Sequence, residues 1–172
     1  MLLSLALSFF LFAELGPEVG ATIPQTERFE EALGEEGATI VFVRSVDWCP
    51  FCKTQVMELS EAAASFEAED RPLIFVSYDS SELQQTFAAR NEIEQTFIAD
   101  EGSEIIKAFG ILNENHRPGS RAYGIPHPSV FIVNEDGVVE DKLYEEDYIT
   151  NSRSYRNRPA VDVILEAVRE AD

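Results

Sequence analysis

The feature that most constrains the fold is a pair of cysteines three residues apart, Cys49 and Cys52. The chain has two cysteines, so neither a disulfide-rich scaffold nor a four-cysteine zinc site is possible. The pair follows a β-branched and aromatic run, TIVFV at 39–43, which is typical of a buried strand. It also begins a series of apolar residues at helical spacing: Cys52, Val56, Leu59, Ala63 and Phe66. We therefore expect the pair at a strand-to-helix junction, with a helix over about 50–69.

The residues at this junction suit thiol–disulfide chemistry. Cys49 stands at the predicted helix start, where free backbone N–H groups and the helix dipole stabilise a thiolate. Pro50 fits the first helical turn, because its missing N–H would have no partner there. Cys52 lies on the same helical face and is close enough to form a disulfide with Cys49. An inert structural disulfide and a metal site are the alternatives.

Further along the chain, strand patterns alternate with helix patterns. We predict strands after Pro72, at 97–99, at 129–133 and at 138–144, the last two joined by a hairpin turn at 134–137. We predict helices over 25–33, 80–91, 103–109 and 160–171, with polar loops over 113–128 and 151–159. This order predicts one α/β domain over 24–172, in which a mixed sheet is flanked by helices.

Charge and motifs exclude several classes of function. The net charge is −19, from 32 acidic and 13 basic residues, which argues against binding to nucleic acid or to anionic lipid. No glycine-rich nucleotide motif follows a strand, and no haem or flavin motif is visible, so no cofactor is expected. The oligomeric state is left open.

The first residues form an apolar run, MLLSLALSFFLFA at 1–13, without a charged side chain. The run is short for a membrane-spanning helix and resembles the apolar part of a secretory signal, with small residues near 19–21 for cleavage. We expect residues 1–21 to direct export to a periplasmic or other extracytoplasmic space. An uncleaved membrane anchor and a cytoplasmic protein are the alternatives.

Two histidines and a cluster of arginines are further candidates for functional residues. His116 and His127 lie in the loop before the fourth predicted strand, and with the cysteines they could supply a Cys2His2 metal set, although their spacing fits no zinc finger. No metal site is predicted from them. The arginines at 153, 156 and 158 are expected to lie in a solvated loop.

Several segments together resemble the thioredoxin fold: DWCPFC at 47–52, YD at 78–79, DEG at 100–102, AFG at 108–110 and IPHPS at 125–129. More closely, they are similar to its peroxiredoxin-like branch, the alkyl hydroperoxide reductase and thiol-specific antioxidant family. The resemblance covers residues 38–168 and implies an oxidoreductase with an antioxidant role in cell redox homeostasis.

The resemblance also assigns roles to residues. It implies that Cys49 is an exposed attacking thiol and Cys52 a buried resolving thiol. Trp48, Pro50 and Phe51 are expected beside the sulfurs. Pro128 matches a proline that is cis in this fold and faces the cysteines, which would place His127 over the sulfurs.

The sequence also departs from the family in two ways. Neither cysteine completes the peroxiredoxin pattern P-x-x-x-[ST]-x-x-C. Counted back from Cys52, the hydroxyl and proline positions are Cys49 and Ser45, and counted back from Cys49 they are Val46 and Phe42. Val43 replaces the buried acid that thioredoxins carry in the strand before the motif.

The predicted function is thiol–disulfide exchange through a Cys49–Cys52 dithiol, with a protein disulfide or dithiol as partner. Two alternatives stay open. One is a thiol-dependent peroxidase, in which one cysteine becomes a sulfenic acid and the other condenses with it. The other is a non-catalytic binding or metal-handling module.

Overall fold

The computed structural model describes residues 14–171. A five-stranded sheet has the order β3-β2-β1-β4-β5. Its strands are β1 (Ala38–Phe42), β2 (Leu73–Ser77), β3 (Thr96–Ala99), β4 (Ser129–Val133) and β5 (Val139–Tyr144). The helices are α1 (Pro50–Glu61), α2 (Ala63–Glu67), α3 (Ser81–Arg90), α4 (Glu104–Ala108) and α5 (Val161–Glu170). The predicted mixed sheet flanked by helices is confirmed.

The sheet combines a parallel half with an antiparallel half. β1, β2 and β3 pair in parallel, whereas β4 runs antiparallel to both β1 and β5. Phe42 at the end of β1 is opposite Ser129 at the start of β4. This register brings the residues that follow β1 and those that precede β4 to the same edge of the sheet.

Each face of the sheet supports its own apolar core, because alternate strand residues point to opposite faces. Val41 and Val43 lie in the core that contains both cysteines and the buried faces of α1, α2 and α5. Ile40 and Phe42 lie in the opposite core, where Phe42 packs on Phe109 and Phe131. The cysteine pair is therefore built into a packed layer.

Tertiary packing changed three of the predicted elements. The predicted helix over 25–33 is two short 3-10 helices, Thr26–Arg28 and Glu30–Ala32, with Phe29 between them fully buried. The predicted helix over 50–69 is interrupted at Ala62. The 151–159 connection contains a 3-10 helix, Ser154–Arg156.

The predicted export segment falls mostly on residues 1–13, which lie outside the described residues. The part that follows packs on the sheet: Leu15 is 2% exposed, and Gly20 N–H donates to the Val139 carbonyl over 2.7 Å. Lys142 pairs with Glu14 and also donates to the carbonyls of Leu15 and Pro17. No helix within 14–171 has the length and apolar character needed to cross a membrane.

Candidate active site

Cys49 and Cys52 form a disulfide at the junction of β1 and α1, with their Cα atoms 5.3 Å apart. Cys49 is the N-cap of α1, and its Sγ accepts a hydrogen bond from the Cys52 backbone N–H over 3.3 Å. Pro50 occupies the first turn, as predicted. The Cys52 N–H, which has no backbone acceptor within the helix, thus donates to the Cys49 sulfur and favours negative charge on it.

Both sulfur-bearing residues are buried: Cys49 is 1% exposed and Cys52 is 0% exposed. The expectation of an exposed Cys49 is wrong. Helix-start geometry alone predicts exposure, but here Cys49 also belongs to the apolar core beneath α1 and α5. Any partner of this disulfide must reach a covered pair of sulfurs.

A buried carboxylate fixes the loop that leads to Cys49. Asp79, just after β2, accepts hydrogen bonds from Ser45 Oγ over 2.8 Å and from the Val46 backbone N–H over 2.7 Å. Ser77 Oγ donates to the same carboxylate over 2.8 Å. Ser45 Oγ also accepts from the Asp47 and Trp48 amides. Asp79 therefore positions the loop between β1 and the cysteines.

Trp48 is held on the other side by Tyr78. The indole Nε1 donates to the Tyr78 hydroxyl over 2.8 Å, and this hydroxyl donates to the Arg121 carbonyl over 2.6 Å. Burial raises the pKa of Tyr78 above its usual value. The Arg121 guanidinium lies over the Trp48 ring and forms a salt bridge with the Asp47 carboxylate over 2.7 Å. The predicted neighbour Trp48 thus lies beside the disulfide loop with a fixed orientation.

The 151–159 connection lies across this end of α1. Tyr155 packs edge-on against Phe51 with ring centroids 6.0 Å apart. The Tyr155 ring also contacts Arg44, whose guanidinium carbon lies 4.0 Å from the Tyr155 ring and 5.1 Å from the Trp48 ring. Arg44 is the second residue after β1. The connection is thereby attached to both sides of the cysteine motif.

Arg158 brings a positive charge to the sulfurs. Its Nη2 lies 3.7 Å from Cys52 Sγ, and its Nη1 donates to the carbonyls of Tyr155 and Asn157. Burial lowers the pKa of Arg158 to about 10, so it stays protonated near neutral pH. The expectation of a solvated arginine cluster is wrong for Arg158, because the connection folds back onto α1.

His127 and Pro128 lie at the same edge of the sheet, but their expected roles need correction. No peptide bond within 14–171 is cis, so Pro128 follows a trans bond. His127 packs against Tyr148 with ring centroids 4.7 Å apart, and its backbone N–H donates to the Ile111 carbonyl. The imidazole makes no described contact with either sulfur. Burial lowers the pKa of His127 to about 4, so the ring is neutral near pH 7.

Metal binding finds no support in the described part of the chain. No cluster of three or more histidine, cysteine, aspartate or glutamate side chains suited to a metal occurs within 14–171. His116 and His127 line a cavity with Arg44, and neither cysteine is part of its lining. The described structure therefore does not bring the two cysteines and the two histidines together as one metal-binding set.

The amino-acid sequence is similar to a known protein family and to curated relatives. A sequence model described as the AhpC/TSA family matches residues 19–142. Chloroplastic peroxiredoxin Q of Sedum lineare is 24% identical over 101 residues, which are 59% of this chain and 51% of the relative. The chain spans about half the length of the curated relatives it matches.

Solved structures show the same fold. Peroxidoxin BcpB from Mycobacterium tuberculosis superposes with a TM-score of 0.68 at 17% identity, covering 90% of this chain and 98% of that one. Peroxiredoxin Q from Xanthomonas campestris gives a TM-score of 0.63 at 20% identity, covering 81% and 82% of the two chains. The predicted thioredoxin-like fold of the peroxiredoxin branch is confirmed.

Proposed function

The chain belongs to the AhpC/TSA family, and from that membership we propose that it is a thiol-dependent peroxidase cycling between a Cys49–Cys52 dithiol and disulfide. The observation that carries the proposal is the Arg158 guanidinium 3.7 Å from Cys52 Sγ. A cation at this distance favours the thiolate over the thiol. It also supplies a donor for the oxygen on which negative charge develops as a peroxide bond breaks.

The reaction divides between the two sulfurs. The Cys52 thiolate attacks one oxygen of a hydroperoxide, an S–O bond forms, and the O–O bond breaks. The leaving alkoxide takes a proton and departs as an alcohol, or as water from hydrogen peroxide. The Cys49 thiolate then attacks the Cys52 sulfenic acid, so that the S–S bond forms and the S–O bond breaks, and the departing hydroxide takes a proton to become water. An external dithiol supplies two electrons to regenerate the pair.

Burial of both sulfurs supports a small oxidant. A protein disulfide must bring its own sulfur into line with the attacking thiolate, whereas a peroxide needs only a narrow path. The disulfide is covered by its apolar core and by the connection that carries Tyr155 and Arg158. These features favour oxidation by a peroxide over oxidation by a folded protein.

Thiol–disulfide exchange with Cys49 as attacker is the second candidate. It is favoured by the position of Cys49 as the N-cap of α1, where the Cys52 amide donates to its sulfur. In this reaction the Cys49 thiolate displaces one sulfur of a partner disulfide, and Cys52 then releases the partner. The two candidates differ in the first oxidant and in the attacking sulfur.

A single-turnover experiment separates them. The protein is reduced, freed of dithiol and mixed with hydrogen peroxide or, separately, with oxidised glutathione at equal concentration. The single tryptophan, Trp48, reports disulfide formation through its fluorescence. We expect peroxide to oxidise the pair faster and to consume two thiols per peroxide. Faster oxidation by oxidised glutathione would overturn the peroxidase assignment in favour of exchange.

A further inference from the structure

A polar cavity of about 100 Å³ lies beside the active site, between the sheet edge and the 151–155 connection. Its lining includes a guanidinium, two imidazoles, and amide and hydroxyl side chains, among them Arg44, His116, His127, Asn113, Asn151 and Ser154. No carboxylate lines it, although the chain carries 32 acidic residues. The cavity is thus an electropositive site in a strongly acidic protein.

Arg44 is the charged group of this cavity and has no counterion. The residue is 7% exposed, its Nε has no hydrogen-bond partner, and no salt bridge within 14–171 involves it. The guanidinium is held by the rings of Trp48 and Tyr155 rather than by an anion. A buried charge without a counterion is costly, so an anion that supplies an acceptor to Arg44 should stabilise this arrangement.

The two histidines add neutral hydrogen-bonding groups to the cavity. Burial is the main cause that lowers the pKa of both His116 and His127, and Arg44 adds to the effect on each. A neutral imidazole carries one donor and one acceptor. Together with the asparagine amides and serine hydroxyls, these rings supply donors for several oxygens around the single cation.

Size limits the ligand. The cavity volume of about 100 Å³ is well below the roughly 300–1,000 Å³ of pockets that hold nucleotide- or drug-sized ligands. A groove of about 540 Å³ adjoins the cavity, since Asn115, His127 and Tyr148 line both. The cavity therefore suits a compact anion with several oxygens.

We propose that this cavity binds a small oxyanion of the phosphate or sulfate type, with Arg44 as its principal partner. The anion joins two parts of the fold, since Arg44 follows β1 whereas Asn151, Ser154 and Tyr155 belong to the connection. That connection continues to Arg158 and the Cys52 sulfur. Anion binding thereby holds the cover of the disulfide in place, a role distinct from the peroxidase reaction.

Binding can be measured on the full oxidised chain with inorganic phosphate and sulfate as probes. Trp48 lies under Arg44, so its fluorescence serves as the readout alongside calorimetry. We expect saturable 1:1 binding of phosphate or sulfate and none of chloride at equal ionic strength. A signal that only follows ionic strength, or that chloride reproduces, would overturn the proposal.

Variants locate the site. Arg44→Met should weaken phosphate binding about 10- to 100-fold, because a charge-assisted hydrogen bond is lost. Asn113→Asp should weaken phosphate binding by a similar factor, because it adds a negative charge to the cavity. The local structure should be kept, since Asn113 Oδ1 accepts a hydrogen bond from the Asn115 backbone N–H and a carboxylate oxygen can accept the same bond. This second variant keeps the test valid if Arg44→Met folds poorly. Arg153→Met, an exposed arginine of the same connection, is the control and should bind as wild type. Equal affinity in Asn113→Asp and wild type would show that any anion binds elsewhere.

Discussion

Arg158 Nη2 lies 3.7 Å from Cys52 Sγ although 106 residues separate the two in the chain. The contact arises because the connection between β5 and α5 folds back over the N-terminal end of α1, where Tyr155 packs on Phe51. A guanidinium with no salt bridge within the described residues is thus placed at a sulfur. The reactivity of Cys52 therefore depends on a segment that follows the last strand.

Replacing Arg158 with methionine should raise the pKa of the Cys52 thiol. A charge-assisted hydrogen bond contributes about 1.5–3 kcal/mol, so we expect a rise of about one to two pKa units and slower reaction with peroxide near pH 7. The measurement is the pH dependence of alkylation in a Cys49→Ser background. Arg158→Lys should give an intermediate result, because it keeps the charge without the planar fork.

Arg156→Met is the matched control for this prediction. Arg156 lies two residues away in the same connection and is exposed, and its guanidinium contacts Tyr155 rather than a sulfur. Its alkylation profile should match wild type. A Cys52 pKa that does not differ between Arg158→Met and Arg156→Met would remove Arg158 from the proposed mechanism.

Replacing Asp79 with asparagine should loosen the loop before Cys49. The carboxylate accepts from Ser45 Oγ, the Val46 N–H and Ser77 Oγ, whereas an amide nitrogen in place of one oxygen cannot accept. Leaving buried donors unpaired costs about 1–3 kcal/mol. Urea unfolding should show that loss. Asp136→Asn, in the exposed hairpin turn, should stay within about 0.5 kcal/mol of wild type. Equal losses in the two variants would contradict a positioning role for Asp79.

Local sequence patterns predicted what depends on neighbours in the chain. The TIVFV run, the hairpin turn at 134–137 and Pro50 in the first turn of α1 are confirmed, because strand alternation, turn chemistry and helix capping act over a few residues. Burial of Cys49 and the contact of Arg158 depend on where distant segments pack, which no short pattern encodes. The buried Arg44, which has no counterion within the described residues, could have been suspected only as a charged residue just after a buried strand.

His127 should make stability depend on pH. Its pKa is about 4 in the folded chain against about 6.5 when unfolded, because burial disfavours the charged ring. Between these values the unfolded chain binds more protons, so the free energy of unfolding should fall as pH falls from 6.5 to 4. We expect a loss of about 2–3 kcal/mol across this range, measured by urea unfolding at several pH values.

Comparison with His127→Gln isolates this effect from the many carboxylates that titrate in the same range. The variant should lose less stability on acidification than wild type. His116→Gln serves for comparison, because His116 is only half-buried and its removal should change the slope less. Parallel curves for wild type and His127→Gln would show that the imidazole is not desolvated in solution.

The two sulfurs should have different roles in the reaction with peroxide. If Cys52 is the sulfur that reacts with peroxide, the Cys49→Ser variant keeps the attacking thiolate beside Arg158 but cannot form the disulfide. It should therefore accumulate a Cys52 sulfenic acid, which a carbon nucleophile traps and intact mass detects. Cys52→Ser should give little sulfenic acid but should form a mixed disulfide with oxidised glutathione, since Cys49 keeps the amide of the helix start. Sulfenic acid mainly on Cys49 would reverse the assignment. If both variants are inert and wild type resists reduction by dithiol, the Cys49–Cys52 bond is structural.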